Sequence, residues 1–263
     1  MEGIDYSPLI DGMRWSYSRI KAYEQCPYSW FLNYLLFPDV EGEEKFYASY
    51  GSFMHELLAG FYSGKLGKED MLDRFLTEFQ DKVKGRRPQG DLVSRYLESG
   101  VSYLSSFSPL PFSTVGVELE IRFRVGGLPF LGFIDHLGEK DGEYYITDNK
   151  SRDLLPRSGK AKPTAKDREL DDMLRQLYLY SVYVEETYGK PPKALCFNCF
   201  RTGKLIIEPF RQEAYEEAKS WALGEIEKIR SDTGFEPNEN YFFCNWLCDR
   251  SGLCKYYWNR EKE

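Results

Sequence analysis

The apolar positions of this chain fall into helical spacing at both ends and into strict alternation in the middle. Ser16-Tyr17-Ser18-Arg19-Ile20-Lys21-Ala22-Tyr23-Glu24-Gln25-Cys26-Pro27 opens with good helix caps and sets Ile20 and Tyr23 near one face, which predicts an amphipathic helix. Pro27 marks a break or a fresh first turn, and Tyr28 to Leu36 predicts a second apolar helix ending at Pro38. Residues 1 to 15 show no period and read as a loose lead-in. In Gly51 to Tyr62, Phe53, Leu57, Leu58 and Phe61 form a further apolar stripe. Met71 to Val83 and Leu92 to Phe107 add two more helices, so an N-terminal helical lobe is expected.

At Ser113 the period changes to two. Val115, Val117, Leu119, Ile121 and Phe123 alternate with mostly polar neighbours as far as Val125, and Gly126-Gly127 turns the chain into Leu128 to Leu137. Glu139-Lys140-Asp141-Gly142-Glu143 then separates that run from Tyr144 to Lys150, and Asp-Gly between two apolar runs is a hairpin signal. A three-stranded meander follows from these two turns. Ser151 to Lys166, rich in Pro, Gly, Lys and Arg, reads as a mobile loop. From Asp167 to Tyr188, Met173, Leu177, Tyr180 and Val184 recur at helical spacing, until Gly189-Lys190-Pro191-Pro192 ends the helix. Two strands, Ala194 to Phe200 and Leu205 to Phe210, and a helix from Glu213 to Ile229 complete the core. Strand, long helix, strand is a crossover unit, so the fold class is α/β with a mixed sheet. The expected organisation is a helical lobe over residues 1–110, a core over 111–230 and a cysteine-rich segment over 231–263, integrated as one domain.

The hairpin concentrates the chemistry. Asp135 sits in its first strand, while Asp148 and Lys150 occupy alternate positions of the second and therefore share a face. Two carboxylates and an ammonium brought together are costly to desolvate, and a divalent cation would offset that cost. The same residues also suit an exposed ion pair where a strand runs into a loop. Glu118 and Glu120 lie opposite Val117 and Leu119, where either could approach a metal but regular alternation fits an ordinary polar face about as well, and they are left out of the site. His55 lies off the centre of its helix's apolar stripe, open to being a satisfied helix residue or a ligand. Gln176 and Tyr180 are one helical turn apart and can act together. Of the six cysteines, Cys196 and Cys199 stand three apart within a strand, hence on opposite faces, and read as buried thiols. Cys26 falls at a helix junction, and Cys244, Cys248 and Cys254 lie in a loop-rich tail between Pro237 and the chain end, with Gly252 inside it.

An Asp, then a strand carrying Asp148-Asn149-Lys150, then a helix with Gln176-Leu177-Tyr178-Leu179-Tyr180 resembles the PD-(D/E)XK nuclease superfamily. Gly51-Ser52-Phe53-Met54-His55 upstream is similar to its RecB-like branch, which includes helicase-nuclease subunits of recombination and exonucleases of CRISPR adaptation, and Cys26 early with Cys244, Cys248 and Cys254 late resembles that branch's iron-sulfur members. The motifs run from Ser16 to Cys254; the first two late cysteines are separated by three residues where two are common. The resemblance implies a restriction-endonuclease-like sheet and a metal-dependent DNA exonuclease acting in recombination, repair or phage- and CRISPR-related processing. It implies Mg²⁺ or Mn²⁺ on His55, Asp135, Asp148 and the backbone carbonyl of Asn149, and the imidazole favours Mn²⁺. Lys150 would position or activate the attacking water, while Gln176 and Tyr180 would position Lys150 or the DNA. Cys26, Cys244, Cys248 and Cys254 would hold a structural [4Fe-4S] cluster. On spacing alone, zinc fits four thiolates equally well.

Composition adjusts this picture in a few places. A net charge of -7 disfavours non-specific DNA binding, but Lys82-Val83-Lys84-Gly85-Arg86-Arg87 and the set Lys150, Arg152, Arg157, Lys160, Lys162, Lys166 and Arg168 are locally basic. They serve as solvated loops or as phosphate guides. No apolar run reaches the ~18 residues that span a bilayer, and the acidic start lacks signal-peptide character. A cytoplasmic protein is expected, whose DNA partner is single-stranded or a duplex end. No Gly-x-x-x-x-Gly-Lys-Ser/Thr loop is present, so a helicase or recombination motor would be a separate chain. The alternative, from a different class, is a non-catalytic DNA-binding or scaffold subunit of a helicase-nuclease or recombination complex. A cluster-bearing redox or regulatory protein would leave Asp135, Asp148 and Lys150 without a role.

Overall fold

A computed structural model describes residues 5–257 and shows one five-stranded sheet in the order β1-β2-β3-β4-β5. The strands are β1 (Ser113–Val125), β2 (Leu128–Lys140), β3 (Glu143–Lys150), β4 (Ala194–Cys199) and β5 (Lys204–Pro209). Both early turns place two consecutive residues at positive φ, Gly126-Gly127 at +55° and +82° and Asp141-Gly142 at +55° and +76°. That geometry matches the twist of the flanking strands and closes each hairpin tightly. β3 and β4 are parallel and are joined through α7 (Ala165–Tyr188), so the sheet is mixed and the fold is of the restriction-endonuclease-like α/β class. A capping box between Thr164 and Asp167 starts α7, and Gly189 at φ +76° ends it.

α7 buries Leu170, Leu174 and Leu177 against one face of the sheet, and α8 (Gln212–Ser231) packs beside it through Tyr215, Ala222 and Ile226. α2 (Tyr17–Gln25) and α3 (Pro27–Phe31) join this core through Ile20, Trp30 and Phe31. A second core is built from α4 (Phe46–Tyr62), α5 (Lys68–Lys82) and α6 (Leu92–Ser105), and Phe200 at the end of β4 enters it. The molecule thus has two packed interiors with the sheet between them.

Several expectations need correction. The lead-in is ordered over its described part: residues Ser7–Asp11 form α1, and Trp15 is fully buried and pairs with β2, donating to Pro129 O and accepting from Leu131 N at 2.8 Å each. α4 begins at Phe46 and runs through Gly51, because one glycine inside a helix costs only about 1 kcal/mol and burial of Phe46, Tyr50 and Phe53 outweighs it. The helix after Pro27 widens into a π turn over Leu32–Leu36, where Asn33 Nδ2 binds the Ser29 carbonyl at 3.2 Å and competes with the regular ladder. The segment after β3 is anchored, not loose. Leu154 is buried, Arg157 bridges Asp171 and Glu208 at 2.5 and 2.6 Å, and Ser158 bonds Asp167 through both its amide and its hydroxyl.

Candidate active site

The site forms where β2 and β3 stop pairing. Their ladder ends at His136 opposite Thr147, and the next residues inward are Asp135 and Asp148. The Asp135 side chain takes over the backbone's role there, since its Oδ2 accepts from the Asn149 amide at 2.7 Å. On the other side of β2, Glu118 stands between the pairs Val117–His136 and Leu119–Ile134 with φ +46°. A left-handed residue bearing a side chain is rare inside a strand and costs on the order of 1–3 kcal/mol. Such strain collects at functional sites.

α4 supplies the remaining face. His55 Nδ1 lies 3.4 Å from Asp135 Oδ2 and 4.0 Å from Glu118 Oε1, while Nε2 is 2.8 Å from the Asn149 carbonyl. A carbonyl only accepts, so Nε2 donates to it, and Nδ1 is the ring nitrogen turned towards the carboxylates. Metal-binding histidines are held in their working tautomer by this kind of bond. One donor atom each from His55, Glu118 and Asp135 falls within 4.8 Å of the others, a spacing that fits a small hard cation. The Asn149 carbonyl, a ligand by resemblance, meets His55 with one lone pair and keeps a second that an ion could use.

Burial pushes the Asp135 carboxyl up to about 7, and the nearby charges of Asp148 and Glu118 add to the effect against the opposing pull of His55 and the Asn149 amide. Glu118 is raised too, by burial and then by Asp148. Asp148 is only 4% exposed, and its Oδ2 lies 2.7 Å from Lys150 Nζ. Three carboxylates therefore crowd a partly dry pocket against one nearby ammonium, which favours a bound cation. Lys150 Nζ also donates to Gln176 Oε1 at 3.3 Å, and Gln176 Nε2 donates to the Tyr180 hydroxyl at 3.1 Å. Burial pushes Tyr180 up to about 12, so the hydroxyl keeps its proton. Gly132 makes room for that ring, because a Cβ there would collide with it. The strand ammonium is thus held by a short polar chain from α7.

A cleft of about 590 Å³ opens onto this cluster, lined among others by Tyr47, Gly51, Ser52, His55, Glu118 and Lys150. A neighbouring cleft of about 470 Å³ shares Ala48, Ser52 and Glu56 with it and continues to Lys45, Lys82 and Asp249. Together they make a groove along α4 that leads towards the cysteine segment.

Of the residues expected from the sequence, His55, Asp135, Asp148, Asn149, Lys150, Gln176 and Tyr180 are brought to one place. Glu118 belongs with them and was missed, because period-two alternation cannot show that a residue departs from strand geometry. His136, adjacent in sequence, is structural: it bonds Thr114 Oγ1 at 3.0 Å, and burial pushes it down to about 4, so it is neutral. The basic runs are partly spent on internal pairs. Lys82 binds Glu56, Arg86 lies over Trp246, and Arg152 and Lys166 both bind Glu169. Lys160 and Lys162 remain exposed with no side-chain partner among the described residues.

Cys26, Cys244, Cys248 and Cys254 line one small apolar cavity. Cys26 caps α3 by accepting from the Ser29 amide at 3.4 Å, and Ser29 Oγ reaches Cys248 Sγ at 3.4 Å. Burial raises the Cys248 and Cys254 thiols, so in this state they are protonated rather than thiolate. Cys196 and Cys199 are fully buried elsewhere, as their strand placement implies, and burial pushes Cys196 up to about 12.

A family model described as the PD-(D/E)XK nuclease superfamily matches residues 14–255. Among solved structures, a protein from Eubacterium rectale described as a "putative exonuclease" is 14% identical, with 92% of this chain and 94% of that chain covered and a TM-score of 0.50. At that identity the likeness concerns the fold alone. SSO0001 matches 71% of this chain over 95% of its own at 18% identity, with a TM-score of 0.29 too low to carry weight. None of the curated proteins compared with the chain matches it.

Proposed function

The chain belongs to the PD-(D/E)XK nuclease superfamily, and from that membership and its acidic cluster we propose that it is a divalent-metal-dependent deoxyribonuclease that degrades DNA from an end. The observation that carries the reading is the convergence of Asp135, Asp148 and Lys150 with His55 at the point where two strands part. Asp135, His55 Nδ1 and Glu118 would hold Mn²⁺ or Mg²⁺, with Asp148 beside them and the Asn149 carbonyl in reserve. When bound, the ion would supply a counter-charge for the phosphoryl oxygens and a more acidic water.

The protein's own groups do the rest. Asp148 and Gln176 restrain the Lys150 ammonium, which stands where it can orient an attacking water and steady the developing negative charge. Tyr180 holds Gln176, so it acts through Lys150 and not on the phosphate. The exposed Lys160 and Lys162, in the segment between β3 and α7, are free to meet phosphates of the entering strand.

The four cysteines gathered around one cavity support a structural [4Fe-4S] cluster, with zinc the alternative that four thiolates equally suit. Cys26 and the late cysteines would tie the first helices to the end of the chain. A role in recombination, repair or CRISPR-related processing, a helicase partner and a cytoplasmic setting accord with this reading. Among the described residues no helix is long and apolar enough to cross a membrane.

The test is cleavage of end-labelled single- and double-stranded DNA with Mn²⁺ or Mg²⁺, beside iron, sulfide and zinc analysis of anaerobically purified protein. Nibbling from ends in the intact protein, lost in Lys150→Ala, is expected, with iron and sulfide near four each per chain. DNA binding without cleavage under either metal would assign the chain to a scaffold role instead.

A further inference from the structure

One aromatic side chain stands outside the core beside this cluster. Phe133 precedes Asp135 by two residues in β2, and a strand's period of two puts both on the same face. The intervening Gly132 and Ile134 go to the other face, where Gly132 meets Tyr180 and Ile134 is buried in the core. Phe133 is 48% exposed, the only aromatic of the five strands to be so open, and among the described residues it packs on no other ring.

A single exposed apolar residue is commonplace, so its setting has to carry the argument. Its partner across β1 is Glu120, whose charge is met by Arg122 at 2.7 Å. Arg122 and Arg124 alternate on the same exposed face of β1, one and two strand repeats beyond Glu120. From Asp135 outward this half of the sheet therefore presents an acidic cluster, then an open ring, then two guanidinium groups. Two strand residues span about 7 Å, which puts the ring within a nucleotide's reach of the carboxylates.

We propose that Phe133 is a base-stacking residue of the substrate site and makes the enzyme select an unpaired strand. The proposal rests on the nuclease reading above. The strand to be cut lies along the open sheet face with the reacting phosphate at Asp135. A neighbouring base lies on the Phe133 ring, and backbone phosphates meet Arg122 and Arg124. Bases inside a duplex have both faces covered by their neighbours, so only a single strand or a frayed end can use the ring. Every base has a π face, which makes such a contact tolerant of sequence.

The experiment is quenching of 2-aminopurine placed near the end of a single-stranded oligonucleotide, with Mn²⁺, on a Lys150→Ala background where no strand is cut. Phe133→Ala is expected to abolish the quenching and weaken binding about 5- to 100-fold, with an unchanged melting temperature because the side chain is exposed. Phe133→Trp should restore both. In the otherwise intact enzyme, Phe133→Ala should raise KM for single strands by a similar factor and leave kcat and blunt-duplex cleavage little changed. Unaltered quenching and KM in Phe133→Ala, or an equal loss on single strands and blunt duplex, would overturn the proposal. Absence of cleavage by the intact protein would instead sink the nuclease assignment, while the quenching measurement would still decide the stacking.

Discussion

His55 Nδ1 and Asp135 Oδ2 face each other across 3.4 Å, joining the middle of a helix to the point where a strand leaves its ladder. Glu118 closes the same triangle from a backbone conformation that strands rarely adopt. The site is therefore made by departures from regular structure, each held in place by packing around it.

Metal binding should depend on pH through Asp135. Burial and its neighbours hold its carboxyl at about 7, against an ordinary 3.8 in an unfolded chain. Between those values the folded state keeps a proton that the unfolded chain gives up. Its contribution to stability is thus present in full below pH ~4 and lost as pH rises through 7. An ion must displace that proton below pH 7, so Mn²⁺ affinity should fall by up to about tenfold per unit of acidification. Calorimetry in buffers of different ionisation enthalpy should find about one proton released at pH 6 and close to none at pH 8; equal release at both would refute the assignment.

Lys150→Ala and Asp148→Ala should each lower cleavage by about 10²- to 10⁴-fold while the sheet stays folded. Gln176→Ala, which frees the ammonium on one side only, should lower kcat by roughly tenfold with little change in KM. A Gln176→Ala enzyme with full kcat would show that the chain from Tyr180 to Lys150 has no positioning role.

Glu118 offers a sharper test, because its two properties can be separated. Glu118→Gln should keep the strained backbone and weaken Mn²⁺ by at least about tenfold. Glu118→Gly should weaken Mn²⁺ similarly yet be more stable than Glu118→Gln by on the order of 1 kcal/mol, since glycine adopts positive φ without strain. Denaturant titrations alongside metal binding would read both effects; a glycine variant less stable than the glutamine one would remove the case for functional strain.

Gly51 lies on the floor of the cleft, and a Cβ there meets nothing within 4 Å. Gly51→Ala should stabilise the fold by about 0.5–1 kcal/mol through helix propensity. Gly51→Trp should fold and still bind Mn²⁺ but cut poorly, because it fills the path to the carboxylates. Full activity in the tryptophan variant would mean that the strand takes another route.

Cys26→Ser should remove one ligand of the proposed cluster and lower thermal stability. Limited proteolysis should then cut within residues 237–257, while Mn²⁺ binding at Asp135 survives. Resistance equal to that of the parent protein would argue against the cavity holding anything that ties the chain ends.

The sheet and its hairpin turns were legible because alternation, Asp-Gly and Gly-Gly are local signals, and β1 has the predicted bounds from Ser113 to Val125. Asp148 and Lys150 could be placed together from strand period alone. Their link to Gln176 required only helical spacing and the crossover. What stayed hidden was non-local or irregular. Glu118 could not be separated from Glu120 without its φ, and Trp15 looked aimless until its bonds to β2 were seen. The segment after β3 appeared loose from its composition, but long-range ion pairs from Arg157 hold it down.

The histidine of the site rides on a helix whose apolar side belongs to one interior, whereas the aspartates are fixed by the sheet that bounds the other. A cation shared between them would act as a clasp across the seam. Warming that loosens the helical half first would part His55 from Asp135 and silence the enzyme while the strands were still intact, and added manganese would postpone that silence more than it would postpone final melting.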